Sequence, residues 1–419
     1  MDPVHAVDPV HAVRQLGRRR GPVKGQVGNP DLGNRLTRLL MVCQDGPQKA
    51  SSRVRGYQYV EALERRGLRV RTACARDCRG DRGGSVKRRL LRRRYLAQLC
   101  RDLAWADVVF VQRLVKGART LDLVAQCAKP MIYDFDDALF ERPEDASGRR
   151  IGHQGRIEGG EGRRGAGEGD PEAEREWSEQ AEWLRRMVGQ ARLCSVTAPA
   201  LAQWVKENFP GKPVLEILGP VDTDRFTPPP DEKRRRVIGW VGGASTSPYL
   251  EIIADPLKEA LRRHPDWELW LVGAKPAVVA NLGIAARALS WSLEEEADLL
   301  RQFAVGVQPL PDSPWTRGKG GYKALQYMAV AAPVISSPVG VNQSLVEHGR
   351  TGYLAASPEQ WVESLEKLVQ DPELRRRFGQ AGREKVVSRH SLTRAADVLS
   401  RRIRDLAEVG GVDATGKAE

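Results

Sequence analysis

Apolar positions along the chain fall into two alternating patterns. Short apolar runs of strand length are separated by stretches in which apolar residues recur every three or four positions, the period of an amphipathic helix. The run at 38–43 predicts a buried strand. A polar loop leads to a helical pattern over 57–66, Gly67 stops it, and 68–73 alternates as a second strand. That is a βαβ opening. Further strands are predicted at 107–111 and 130–135 with helical patterns between them, so this half reads as a doubly wound parallel sheet. A helix over 173–191, a strand at 193–197 and a helix over 200–209 complete it. A second series begins at 237–241, continues through 267–272 and 305–310, and reaches 333–336. Ser357, Pro358 and Gln360 supply an N-cap, a first-turn proline and a capping-box partner, which opens a helix to about 369. Later helices are expected at 372–387 and 391–408.

Two consecutive series of this kind predict an α/β chain with two Rossmann-like doubly wound domains facing a cleft, where ligands bind at the carboxyl ends of the strands. The expected division is a disordered tail over 1–34, an N-terminal domain over 35–212, a C-terminal domain over 213–390, and a C-terminal helix and tail over 391–419. The tail opens with the repeat Asp2-Pro3-Val4-His5-Ala6-Val7, written again over 8–13. Its two histidines, six apart, are read as part of a frayed tail rather than as metal ligands. Between 141 and 172 the composition collapses into Gly, Arg and Glu, which cannot build core, and a mobile insert is expected there. The proline-rich stretch 213–230 is the expected linker.

Composition adds limits. At 419 residues, 41% hydrophobic and 29% charged, the chain suits two domains of ordinary soluble type. No run reaches the length of a membrane-spanning helix and no secretory leader pattern is present, so a cytoplasmic location is expected. The six cysteines lie in the first half without CxxC spacing, which predicts reduced thiols and no zinc site. A formal charge of +13 admits anionic partners. The aromatics do not interleave with basic residues as a base-stacking sheet needs, so no nucleic acid is expected. The basic run 87–96 reads as a helix that either presents a solvated face or lies peripherally on anionic lipid.

Two loops carry candidate chemistry. Gly242, Gly243 and Ser245 follow a predicted strand, where backbone amides approach a diphosphate or simply make a turn. The sequence Gly318-Lys319-Gly320-Gly321-Tyr322-Lys323 runs into a helix. Two lysines at a helix entrance are poorly placed for the macrodipole unless an anion binds there. In the first half, Asp136 and Asp137 follow a strand and either act on acceptor hydroxyls or cap a helix. Arg53, Arg55 and Arg113 stand at comparable strand ends as candidate acceptor or phosphate contacts. His348, in the turn Glu347-His348-Gly349, is read as structural.

The stretch from Lys323 through Gln326, Val339 and Gly340, continued by Glu347-His348-Gly349-Arg350-Thr351-Gly352, resembles the donor-site signature of family 4 (group 1) glycosyltransferases. Val221-Asp222-Thr223-Asp224-Arg225-Phe226 resembles the linker motif of that family. The segment 308–315, ending at Trp315, resembles the loop entering its sugar site, and 52–57 the loop after its first strand. The resemblance implies a nucleoside diphosphate sugar as donor in the C-terminal domain and a saccharide or lipid-linked acceptor in the N-terminal domain. It also implies retention of anomeric configuration, no cofactor and no obligatory metal, in polysaccharide or cell-envelope glycan synthesis. Without a metal the leaving diphosphate must be stabilised by amides and cations, which gives Lys319 and Lys323 that task. By the same resemblance Gly242, Gly243, Ser245, Trp315, Gly320, Gly321, Tyr322, Gln326, Val339 and Gly340 hold the donor.

Two departures stand out. Many members carry a pair of glutamates where this chain has Gly318 and Gln326, and an Arg and a Lys where it has Gly243 and Tyr249. The same scaffold serves sugar 2-epimerases, and a chain lacking the glutamate pair also fits a non-catalytic nucleotide-sugar-binding scaffold.

Overall fold

A computed structural model describes residues 36–75, 85–115, 118–142, 171–230 and 234–412. The N-terminal repeat and all but the edges of the Gly/Arg/Glu insert lie outside the described residues.

The first sheet contains β1 (Arg38–Cys43), β2 (Arg69–Cys74), β3 (Val108–Gln112), β4 (Met131–Phe135), β5 (Leu193–Val196) and β6 (Val214–Glu216), in the order β2-β1-β3-β4-β5-β6. β1 pairs in parallel with β2 and β3, and β3 with β4. β1, β3 and β4 are apolar along most of their length because a parallel sheet is covered on both faces. β2 lies at the edge, and its arginines Arg69 and Arg71 alternate outward. Between β1 and β3 the strand order turns back on itself, which places a switch point at their carboxyl ends.

The second sheet contains β7 (Val237–Val241), β8 (Glu268–Val272), β9 (Arg287–Leu289), β10 (Val305–Gln308), β11 (Val334–Ser336) and β12 (Gly352–Leu354), in the order β12-β11-β10-β7-β8-β9. All its neighbouring strands run parallel. β7 alternates its side chains between two cores, as a period of two requires. Ile238 and Trp240 enter one, with Leu257, Trp361 and Leu368. Val237 and Val241 enter the other, with Phe303, Tyr327 and Met328. The first strand of this series lies centrally, so the order reverses between β7 and β10 and creates the switch point of a dinucleotide-binding fold.

By contacts the chain divides into two compact units, 1–135 with 186–195 and 395–419, and 136–185 with 196–394. This differs from the expected division, since 136–185 and 196–212 group with the second unit and 395–419 with the first. The cause is that packing follows neighbours in space, and helices after a strand pack where their apolar faces lead. The expected linker over 213–230 begins with β6, a strand too short for its apolar pattern to register in sequence. The helix at Ser357 forms as expected, over Pro358–Gln370 with both capping-box bonds made. The basic run lies in the helix Ser85–Trp105, where Leu90 and Leu91 are exposed. Among the described residues no helix is long and apolar enough to cross a membrane.

Candidate functional site

In the second unit the loops after β7 and β10 flank the switch point. The loop 242–246 leaves β7 and enters the 3-10 helix Ser247–Ile253, with the Thr246 and Ser247 amides donating to the Gly243 carbonyl. Gly243 and Ser245 are exposed on it. Gly242 is closely enclosed: a Cβ there would lie 2.4 Å from the Trp240 ring and 2.8 Å from Cε of Lys323. Its glycine character therefore serves close approach.

The loop after β10 contributes the short helix Pro314–Arg317, capped reciprocally by Ser313 and Thr316, then Gly318 to Gly321. Gly321 caps the helix Tyr322–Ala329 in the left-handed region, at φ +65°, a conformation that favours glycine. Gln308, at the end of β10, accepts from the Ala324 amide at 2.9 Å and so takes one of the helix's first-turn donors. Val339 is buried against Tyr249 and Leu310 beneath the 3-10 helix, and Gly340 sits at φ +54° against the Arg317 backbone.

The two lysines reach this junction from one loop and one helix. The Lys323 ammonium donates to Oγ1 of Thr246 at 3.2 Å and lies 5.6 Å from the centre of the Trp240 ring, bridging the β7 and β10 loops. Burial first, and then the nearby Lys319 charge, push its pKa down to about 8 against the opposing effect of Asp137. Lys319 pairs with Oδ1 of Asp137 at 2.8 Å and stands 4.6 Å from the centre of the Trp315 ring. The loop carrying Lys319 is held tightly. A Cβ on Gly318 would lie 2.7 Å from that of Ala138, and one on Gly320 2.7 Å from that of Thr197. Thr197 in turn donates to the Asp136 carbonyl at 3.2 Å. Asp136 and Asp137, expected to serve an acceptor from the N-terminal domain, thus belong to the same unit as Lys319.

Gln326 differs from the expectation for a nucleotide ligand. It is buried, and its Nε2 donates to Oε1 of Glu296 at 3.0 Å, an oxygen that also accepts from the Trp291 indole at 3.0 Å. Arg225, from the linker motif, pairs with the other Glu296 oxygen at 3.4 Å. A carboxylate does therefore stand beside Gln326, supplied from 30 residues earlier by Glu296. The sequence reading missed it because three glutamates stand in a row at 294–296, and only packing chooses which one points inward.

The first unit receives the arginines. Arg53 and Arg55 lie in a π-helical turn, Arg53–Tyr57, after β1, and Arg113 follows β3, so all three flank that sheet's switch point. Arg53 donates weakly to the carbonyls of Pro47 and Gln48. Arg113 adopts φ +50°, and its amide donates to the Asp134 carbonyl at 2.7 Å. Arg55 is a correction. Only 1% exposed, it pairs with Asp134 through two nitrogens and donates to Ser195 at 3.0 Å. A guanidinium so committed holds the core together and is not offered to an acceptor. His348 is structural as expected, accepting from the Leu354 amide at 3.1 Å. Among the described residues no group of His, Cys, Asp or Glu is arranged to hold a metal ion.

Two parallel six-stranded sheets with flanking helices, each with a switch point, are the architecture of the GT-B glycosyltransferase fold, and comparisons agree on that fold. Residues 235–371 match the family model described as glycosyl transferases group 1. The chain is 29% identical over 192 residues to the D-inositol 3-phosphate glycosyltransferase of Corynebacterium jeikeium, covering 40% of this chain and 46% of that protein. It thus spans about half the length of the curated relatives it matches. Among solved structures, sucrose-phosphate synthase from Thermosynechococcus elongatus superposes with a TM-score of 0.63 at 16% identity, over 90% of this chain and all of that one. HepE from Anabaena, in complex with UDP and glucose, superposes with a TM-score of 0.59 at 13% identity, over 88% of this chain and all of that one.

Proposed function

We propose that this protein is a retaining glycosyltransferase of family 4, which moves a hexosyl group from a nucleoside diphosphate sugar to a saccharide or lipid-linked acceptor in polysaccharide or cell-envelope glycan synthesis. The observation that carries the reading is the placement of Lys319 and Lys323 beside the 242–247 loop at the switch point of the second sheet. Charge develops on the leaving diphosphate oxygen as the glycosidic bond breaks. Two ammonium groups fixed there stabilise that charge more than they stabilise the intact donor, which is what lowers a barrier. The Lys319–Asp137 pair keeps the loop charge balanced before the donor enters. The relative bound to UDP and glucose gives a uridine nucleotide as the first donor to try. In this reading the protein needs no cofactor and no metal, and works in the cytoplasm, peripherally at the membrane where its acceptor is lipid-linked.

A second reading, a non-catalytic nucleotide-sugar-binding scaffold, is favoured by one observation: Gly318 and Gln326 stand where a glutamate pair would, and Gln326 is engaged by Glu296. Donor hydrolysis without acceptor separates the two. Slow release of sugar from a UDP-sugar, abolished in Lys319→Ala/Lys323→Ala, supports the enzyme. Binding without any turnover across a panel of donors and acceptors supports the scaffold, whereas release of the sugar as its epimer supports a 2-epimerase.

A further inference from the structure

The first unit carries a helix, Ser85–Trp105, that is docked along only half its length. The carboxyl half is held in place. Leu99 and Leu103 are buried, and Gln98 donates to Asp102 at 3.0 Å. Arg71 pairs with the same Asp102 at 2.7 Å, and its guanidinium lies 4.1 Å from the centre of the Trp105 ring. In the amino half every described side chain from Val86 to Arg94 is exposed. Val86 is 77% exposed, Leu90 50% and Leu91 40%. Three of the six large apolar side chains left exposed among the described residues thus fall between Val86 and Leu91, so the patch is local to this helix.

Arg89, Arg92, Arg93 and Arg94 share this exposed stretch, and steps of about 100° per residue set them on several sides of the helix around the leucines. From Ser85 to Arg101 the helix has no carboxylate of its own. The carboxylates at its docked end and on the neighbours it packs against, β1 and the helix Ala118–Ala125, are answered by other arginines. Asp102 is taken by Arg71, Asp107 by Arg38 at 2.7 Å, and Asp122 by Arg186 at 3.5 Å. None of the four exposed arginines forms an ion pair among the described residues. The preceding segment 76–84, outside the described residues, contributes three arginines and two aspartates in sequence, which leaves the sign of the charge unchanged.

We propose that this exposed half-helix docks on a bilayer containing anionic lipid, with Leu90 and Leu91 entering the headgroup region and Arg89, Arg92, Arg93 and Arg94 meeting lipid phosphates. Cations alone suit any polyanion. The leucines select the partner, because their burial is favourable against acyl chains and gains nothing from a hydrated phosphate chain. Arginine fits such a boundary, since its stem lies along apolar surface while its guanidinium fork matches phosphate oxygens. Each basic residue near an anionic surface contributes about fivefold to partition. This deepens the peripheral location in the reading above by making lipid charge, rather than a lipid-linked acceptor, the hold on the protein. Vesicle binding is measured without donor or acceptor, so its failure leaves the glycosyltransferase reading standing.

The test is co-sedimentation of the full chain with vesicles of phosphatidylcholine alone and of phosphatidylcholine mixed with phosphatidylglycerol. Partition to the mixed vesicles is expected to be at least about tenfold stronger and to fall as added salt screens the charges. Arg92→Gln/Arg93→Gln/Arg94→Gln should weaken it at least about tenfold, and Leu90→Ser/Leu91→Ser at least about threefold. Equal partition to the two kinds of vesicle, or unchanged partition in the arginine variant, overturns the proposal. Unchanged partition in the leucine variant overturns it too and, where polyuridylate displaces the vesicles, assigns the arginines to nucleic acid. Thermal unfolding that matches the native chain shows that each variant is folded. If the triple change shifts it, Arg93→Gln alone repeats the comparison, with a weakening of about fivefold expected.

Discussion

Lys323 sits between two demands, since burial against Trp240 disfavours its charge and the proposed donor diphosphate requires it. With a pKa of about 8 the ammonium is charged below that pH and neutral above it. A diphosphate binds the charged form, so nucleotide affinity is expected to be level below about pH 7 and to fall as pH rises through 8, approaching tenfold per unit. Calorimetric titration of UDP from about pH 6.5 to about pH 9.5 measures this, and Lys323→Arg should flatten the profile because a guanidinium does not titrate there. In the proposed donor complex each lysine makes a charge-assisted contact worth about 1.5–3 kcal/mol. Lys319→Ala or Lys323→Ala is thus expected to raise the Kd for UDP by about tenfold to a hundredfold; retained affinity in both would remove these residues from the site. Gly242→Ala should act through the same atom. Its Cβ would meet the Trp240 ring and Cε of Lys323, so weakened UDP binding with a smaller loss of stability is expected. The lysines and glycines were legible in the sequence because a Gly-rich basic loop opening a helix is a local pattern. Glu296 was not, because its role depends on Gln326 and Arg225 arriving from elsewhere in the fold.

Among the elements, the π-helical turn Arg53–Tyr57 shows how a short segment is fixed from a distance. A Cβ on Gly56 would lie 2.5 Å from Sγ of Cys43, so the turn lies hard against β1, and Arg55 is drawn inward to Asp134 of β4. Arg55→Ala would take the guanidinium from a buried carboxylate, and a loss of about 3–5 kcal/mol in urea unfolding is expected. Arg55→Met with Asp134→Leu, which removes both charges, should recover most of it. The sequence suggested an acceptor for Arg55, because its partner stands 79 residues away and no local spacing announces it. By contrast the cap at Ser357, Pro358 and Gln360 was legible in full, since all its bonds join residues within one turn.

For the molecule as a whole, the parts proposed to bind the nucleotide lie in the second unit, so donor binding should stabilise that unit first. A hundredfold excess of nucleotide over its Kd adds about 2.7 kcal/mol to a unit that binds only when folded. Thermal unfolding followed with UDP is therefore expected to show a raised transition that Lys319→Ala/Lys323→Ala abolishes, and an unmoved transition would weigh against the donor site. The sequence by itself determined the alternation of strand and helix, the presence of two α/β series and the basic loop at a helix entrance, since each is written in residues close together along the chain. Tertiary structure decided which residues group into each unit, which of three adjacent glutamates meets Gln326, that Arg55 serves the core, and that the basic helix docks by one half and leaves the other exposed. These depend on contacts between residues far apart in the chain, where pairing is set by the packing of whole elements and leaves no periodic trace in the local sequence.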